Sequence, residues 1–229
     1  HLAIMHDAVI GGLSGTDYHD RILGRQSHLL EKTRQSNLVP SRMINSIIAN
    51  VTAVMETKSA MGAIVAAPTA GSCGTLAGCL HAVAERVGAE RKRQKEALLA
   101  AGLVGVFISQ EGGFAAEEGG CQYECGAASG MTAAALVDLL GGSAQIAINA
   151  SSMALQNTLG LICDPVADRV EVPCLGKNIM AALNAVELIS KNLVNAYQFP
   201  KQLYFRDKMM TASLMAGVAF SNASLGMVH

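Results

Sequence analysis

Charge is scarce in this chain. Of its 229 residues only 15% are Asp, Glu, Lys or Arg, against 51% apolar, and the formal net charge is −1. Such a balance lacks the basic surface that binds nucleic acid or an anionic membrane, so neither is expected as a partner. So little charge also leaves little solvated surface, which predicts a subunit that buries area against another chain. Long apolar runs are missing too. The longest, Ala97 to Ile108, falls well short of the roughly 20 residues that span a bilayer and reads as a buried helix. The amino end, HLAIMHDAVIGG, has no basic region followed by a cleavage site. No secretory leader is therefore expected, and the expected compartment is the cytoplasm.

No stretch alternates apolar and polar residues over a useful length, no period repeats, and no Gly- or Ser-rich linker divides the chain. The expected fold class is all-α, or mainly α: one helical domain over 1–229 with cysteine-bearing loops converging on one site. Within it, 1–39 reads as a loop-rich lead-in, 40–196 as the helical core and 197–229 as an atypical C-terminal helix. Ser41 is the expected N-cap of the first core helix, in which Ile44, Ile47, Ile48, Val51 and Met55 form a buried stripe. Further helices are expected from about Thr75 to Val87, Ala97 to Ser109, Ala127 to Leu140, Ala144 to Ile162, Asn178 to Ala196 and Asp207 to Leu225. The Ala, Gly and Ser content of 127–162 suits interior helices with close neighbours. Glu85 to Glu96 is a dense charge run and reads as a solvated face.

Two kinds of stretch carry candidate chemistry. Ala66 to Thr75, AAPTAGSCGT, sets small residues and two glycines before a helix. Backbone N–H groups and the helix dipole there favour an anion such as a carboxylate; a tight interhelical turn is the open alternative. The other kind holds the thiols. There are six cysteines, at 73, 79, 121, 125, 163 and 174. A core of ample size and no leader favour reduced thiols over disulfides. No CxxC pair exists, which argues against ribbon or finger zinc, and ferredoxin-type runs are missing. Cys121 and Cys125 are spaced C-x3-C with no third cysteine two or three residues later. What remains is dispersed: Cys121 after Gly119-Gly120, then Cys163 and Cys174 in LICDPVADRVEVPCLGKN. The residue before a proline leaves the α region, so Asp164 is expected to end a helix with Cys163 at its edge. Dispersed thiols on loops suit a cubane cluster, and buried packing cysteines are the alternative.

Three strings settle the family resemblance: AAPTAGSCGT, EGGCQYECGAASGMTAAALVDLLGG and ALQNTLGLICDPVADRVEVPC. In this order, over roughly Gly11 to Asn184, they closely resemble the α chain of iron–sulfur L-serine dehydratases (L-serine ammonia-lyases). The resemblance implies an all-helical catalytic domain and a [4Fe–4S] cluster held by Cys121, Cys163 and Cys174. It also implies that a loop like Pro68 to Gly74 lines the substrate site. Three ligands on four irons leave one iron open as a Lewis acid for the hydroxyl of L-serine. Loss of the Cα proton then leads through aminoacrylate to pyruvate and ammonia. The substrate carboxylate is expected on Thr69, Ala70, Gly71 and Ser72. Asn157 and Asn178 are candidates to fix other polar groups, with a structural amide as the alternative for each. The histidines, His6, His19 and His28 in the lead-in and His81 beside Cys79, yield no assigned base. Cys73 belongs to the substrate-loop motif, and Cys79 and Cys125 read as packing thiols.

The chain departs from the family pattern in places. Gln156 stands where a lysine is expected, and Leu175-Gly176-Lys177-Asn178 replaces a more basic segment. Asp207 to His229 instead resembles a helix of iron-containing alcohol dehydrogenases, in which the histidine of N-A-x-L-G-x-x-H ligates metal. With no further histidine and no nucleotide loop, a dehydrogenase is not expected. Family members carry an added amino-terminal domain or receive it as a β chain. The expected partners are therefore L-serine, a β chain and/or further copies of the chain. Competing readings are an L-cysteine desulfidase using the same cluster, a pyridoxal-phosphate dehydratase with Lys58 as Schiff-base lysine, and a non-catalytic helical subunit.

Overall fold

A computed structural model describes residues 1–33 and 41–186. The expected helix at Asp207 to Leu225, and the end of the one expected to reach Ala196, lie outside the described residues. Among the described residues every regular element is helical, and the only strand-like pairing is an isolated bridge between Val166 and Arg169. No helix there is long and apolar enough to cross a membrane. The chain divides into two compact units, His1–Lys95 with Asp164–Leu183, and Glu96–Cys163 with the residues from Asn184 on.

The first unit is built on α3 (Arg42–Ser59). It begins where the sequence predicts: Ser41 is extended, and its Oγ accepts the Ile44 N–H at 3.3 Å. Of the expected stripe, Ile47, Val51 and Met55 are buried, while Ile44 and Ile48 are only half-buried because they lie towards the outer side of the first turns. Against α3 lie α1 (Leu2–Ser14), α2 (Ser27–Thr33) and α4 (Cys73–Val87). Helix α1 corrects the expectation of an irregular lead-in. Its buried residues, Met5, Ala8, Val9 and Gly12, follow the i, i+3, i+4, i+7 pattern of a helix face. Two of the four are Ala and Gly, too small to stand out as a stripe.

Glycines set how closely these helices approach. A Cβ on Gly12 of α1 would lie 2.2 Å from the Ala53 carbonyl oxygen, and one on Gly78 of α4 2.6 Å from the Val51 nitrogen. Both obstacles are backbone, so a methyl group forces the helices apart. Gly78→Ala is expected to lower unfolding stability by about 2–3 kcal/mol, seen as a lower denaturant midpoint; an unchanged midpoint would refute the contact. Glu56 adds a polar tie. Its carboxylate is fully buried on α3 and accepts the N–H groups of Gln26 (2.6 Å) and Ser27 (2.8 Å), with Ser27 Oγ 2.6 Å away. A buried carboxylate is tolerated when several donors satisfy it; here they anchor the start of α2 to α3.

The second unit contains most of α5 (Arg91–Glu111), then α6 (Ala116–Gly119), a π-helical turn (Gln122–Gly126), α7 (Ala127–Leu139) and α8 (Ala144–Gln156). Every residue of α7 except Asp138 is buried, as its small side chains predict. Helix α8 lies against it closely enough for Ser151 Oγ to donate to the Gly130 carbonyl at 2.8 Å. It ends at Gln156, short of the expected Ile162. Thr158 Oγ1 turns back onto the Leu155 carbonyl at 2.8 Å, and Gly160 takes a positive φ of 86°, which stops the helix. Helix α5 corrects a second expectation. Only Ala97, Ala101 and Gly105 are buried, while Leu99, Leu103, Val106 and Phe107 are exposed, Leu99 by 74%. Its apolar composition was read as burial, but only the narrow small-residue edge faces the unit's interior.

Candidate active site

In the first unit the turn at Thr69–Ser72 leads directly into α4, after a cis peptide bond between Ala67 and Pro68. The two hydroxyls close it reciprocally. Thr69 N–H donates to Ser72 Oγ and Ser72 N–H to Thr69 Oγ1, both at 3.3 Å, with the two oxygens 3.0 Å apart. Ser72 is thereby buried, Thr69 and Gly71 are half-buried, and Ala70 is the exposed tip. Ser72 does not cap its own helix with its side chain.

Asn178 supplies the cap instead. Its Oδ1 accepts the Thr75 N–H at 3.0 Å and the Thr75 hydroxyl at 2.9 Å, while Nδ2 donates to the carbonyls of Gly71 (2.7 Å) and Cys174 (2.8 Å). Both amide hydrogens and the amide oxygen are engaged within the protein. The fully buried Asn178 is a clamp between the turn and the helix carrying Cys174.

That helix, α9 (Glu171–Asn184), corrects the expectation of a loop through Cys174. Pro173 falls in its first turn, where the missing N–H has no intrahelical partner to lose and the fixed φ suits a helix. Cys174 is buried one position later, with its N–H bonded to the Val170 carbonyl at 2.8 Å. Asn178 lies one turn further on, on the same face. Lys177 pairs with Asp164, which draws the Asp164-Pro165 end of the connecting segment onto α9.

The second unit sets the turn that carries Cys121 against the segment that leads to Cys163. Cys121 is buried at the entry to the π-helical turn, and Gly120 before it has φ 71°. A Cβ on Gly120 would lie 2.9 Å from the Leu161 oxygen and 3.5 Å from the Cys163 nitrogen, so the two backbones are in contact. Gln122, part of the GCQ string but given no role from sequence, fastens them. Its N–H donates to the Leu161 carbonyl and its side-chain Oε1 accepts the Gly160 N–H, each at 2.8 Å. Cys163 is exposed and lies beyond the end of α8, not at a helix edge. The early stop of α8 frees residues 157–163 to run alongside the Cys121 turn.

Asn157, the C-cap of α8, donates from Nδ2 to Asn184 Oδ1 at 2.8 Å. Asn184 in turn donates to Ser129 Oγ at 2.9 Å and the Ala154 carbonyl at 3.0 Å. Among the described residues none of the six cysteines is joined in a disulfide. Nor is any group of three or more His, Cys, Asp or Glu side chains among them gathered to hold a metal ion. Cys121 and Cys163 nevertheless fit a thiolate-bound group in donor chemistry, and the residues on either side of Cys121 touch the segment that ends at Cys163. Cys174 belongs to the first unit.

The profile of the serine dehydratase alpha chain family matches residues 1–201, and that of the C-terminal region of Fe-containing alcohol dehydrogenases matches residues 178–229. A Bacillus subtilis protein named "Probable L-serine dehydratase, alpha chain" is 38% identical over 187 residues, covering 81% of this chain and 62% of its own length. The L-serine dehydratase, alpha chain, of Peptoniphilus asaccharolyticus is 36% identical over 184 residues, with 80% and 63% covered. The L-serine dehydratase TdcG of Escherichia coli is 34% identical over 191 residues, with 80% and 42% covered. The chain thus spans about three fifths of the length of the alpha chains it matches.

Proposed function

We propose a function from one premise: the chain belongs to the serine dehydratase alpha chain family. It is the alpha portion of an L-serine ammonia-lyase, converting L-serine to pyruvate and ammonia. The observation that carries this reading is the contact between the Gly120–Gln122 turn and the Leu161–Cys163 segment, which brings two thiol-bearing stretches distant in sequence side by side. Cys121 and Cys163, with Cys174 as third ligand, are the residues proposed to hold a [4Fe–4S] cluster. When bound, such a group supplies a Lewis-acidic iron that makes hydroxide an acceptable leaving group.

The chain's own residues do the positioning. The Thr69–Ser72 turn offers the substrate carboxylate a place at the N-terminus of α4, where the helix dipole favours an anion. Asn178 holds that turn and the first turn of α9 in one register. Asn157 has committed its Nδ2 to Asn184, so its carbonyl oxygen is the end it offers to a substrate ammonium group. A companion β chain is part of the proposal. The relatives' names as alpha chains support it, and the exposed apolar face of α5 at Leu99, Leu103 and Val106 is the surface assigned to it.

The test is anaerobic purification with iron and sulfide quantitation, followed by pyruvate release from L-serine and from L-cysteine, with and without a β chain. Bound iron and sulfide, turnover favouring serine, and a gain on adding the β chain are expected. A preference for cysteine would reassign the chain as a desulfidase. A yellow, iron-free chromophore fixed to Lys58 on reduction would point to pyridoxal phosphate. A cluster without lyase activity in either mixture would make this a non-catalytic subunit.

A further inference from the structure

The first unit also brings two imidazoles together. On α1, His6 follows the buried Met5; on α4, His81 sits between the buried Leu80 and Ala82. Where these helices meet, the two imidazoles converge at the rim, with Nδ1 atoms 3.2 Å apart, ring centroids 4.9 Å apart and planes inclined at 43°. They open onto a cleft of about 450 Å³ that Leu2, Ile10, Glu85, Arg91 and Gln94 also line. His81 lies more than two turns along α4 from Ser72, about 13 Å, so the pair is separate from the Thr69–Ser72 turn.

Two neutral imidazoles tolerate this approach only if one carries its proton on Nδ1 and the other on Nε2; two unprotonated Nδ1 atoms so close repel. A dication between them reverses that repulsion. Metal–nitrogen bonds of about 2.0–2.1 Å in tetrahedral geometry place two ligand nitrogens roughly 3.3 Å apart. The observed separation matches that bite without movement of either helix. Glu85, one turn after His81, lines the same cleft together with Arg91, so the fixed charges there balance and the two imidazoles are the groups that hold the ion.

We infer that His6 and His81 form a two-histidine site for a divalent transition-metal ion of the zinc class, open to water on the cleft side. The bound ion staples α1 to α4, and so joins the first helix of the chain to the helix that begins at the substrate turn.

Cobalt(II) tests this on the anaerobically purified full chain, because its absorption distinguishes nitrogen and oxygen donors from thiolate. One equivalent of Co²⁺ is expected to give d–d bands without thiolate charge transfer, and both His6→Ala and His81→Ala are expected to lose that equivalent. Zn²⁺ is expected to raise the unfolding temperature of the unaltered chain and of neither variant, since only a ligand that binds the folded state stabilises it. His6 is exposed, so its alanine variant retains the fold. Unchanged uptake in both variants, uptake showing only thiolate charge transfer, or no uptake by the unaltered chain would each overturn the site.

Discussion

Serine in place of Cys121, Cys163 or Cys174 is expected to remove bound iron and, with it, pyruvate release from L-serine, whereas Cys79→Ser keeps both. The contrast rests on protonation and placement. A thiolate, not a thiol, is the ligand for iron. Burial pushes the Cys79 thiol well above its ordinary value, and the group points along its own hydrogen bond to the Ala182 carbonyl at 3.9 Å. It stays protonated, so losing its sulfur costs packing alone, about 1–2 kcal/mol for a hydroxyl set in an apolar site. Cys163 is exposed, and the Gly120–Gln122 contact sets the turn that carries Cys121 against the same stretch of backbone. Two remaining thiolates rarely retain a cubane, so the loss should be complete rather than graded. Iron and sulfide per chain, measured anaerobically beside the pyruvate assay, decide the matter. If Cys79→Ser loses iron as fully as Cys121→Ser, the ligand assignment is wrong.

How much of this was legible in the sequence depended on side-chain size. The Ile47, Val51 and Met55 stripe and the Ser41 cap were readable because large apolar groups at helical spacing and a hydroxyl before them have few other interpretations. The face of α1 was not, because Gly12 contributes by the absence of a side chain, letting α3 approach to backbone contact. Composition misled at α5, where Leu99 and Leu103 counted towards an apolar run but point to solvent. Pro173 misled in the opposite way: proline punctuates a chain in mid-helix but is welcome in a first turn, so Cys174 was expected in a loop and stands on a helix. The thiols themselves were legible through the strings around them. Their supports were not, since Gln122 and Asn178 act through partners remote in sequence, and no local pattern encodes where an amide will find its carbonyl.

Asn178→Ala is expected to lower stability by about 3–4 kcal/mol and to abolish detectable serine turnover. The substitution takes the side-chain partner from the Thr75 hydroxyl and from the Gly71 and Cys174 carbonyls, and leaves the Thr75 N–H only its 3.2 Å bond to the Ser72 carbonyl; each lost buried partner costs on the order of 1–3 kcal/mol. Asn178→Asp separates the two halves of the clamp. It keeps an acceptor for Thr75 but turns a carboxylate oxygen towards two carbonyls, so the α4 cap survives while the ties to Gly71 and Cys174 become repulsive. If the clamp positions the turn, the aspartate variant should bind iron yet show a raised KM for serine, because the carboxylate's seat has shifted more than the thiols have. A purely structural role predicts a lower unfolding temperature with KM unchanged in whatever fraction remains folded. Asn157→Ala is the internal comparison. Its bond to Asn184 is half-buried and single, so about 1 kcal/mol is at stake, and a larger loss of turnover is the outcome expected if the amide oxygen serves the substrate as proposed. Comparing the two asparagines therefore tests whether Asn178 holds the site in shape while Asn157 acts on what enters it.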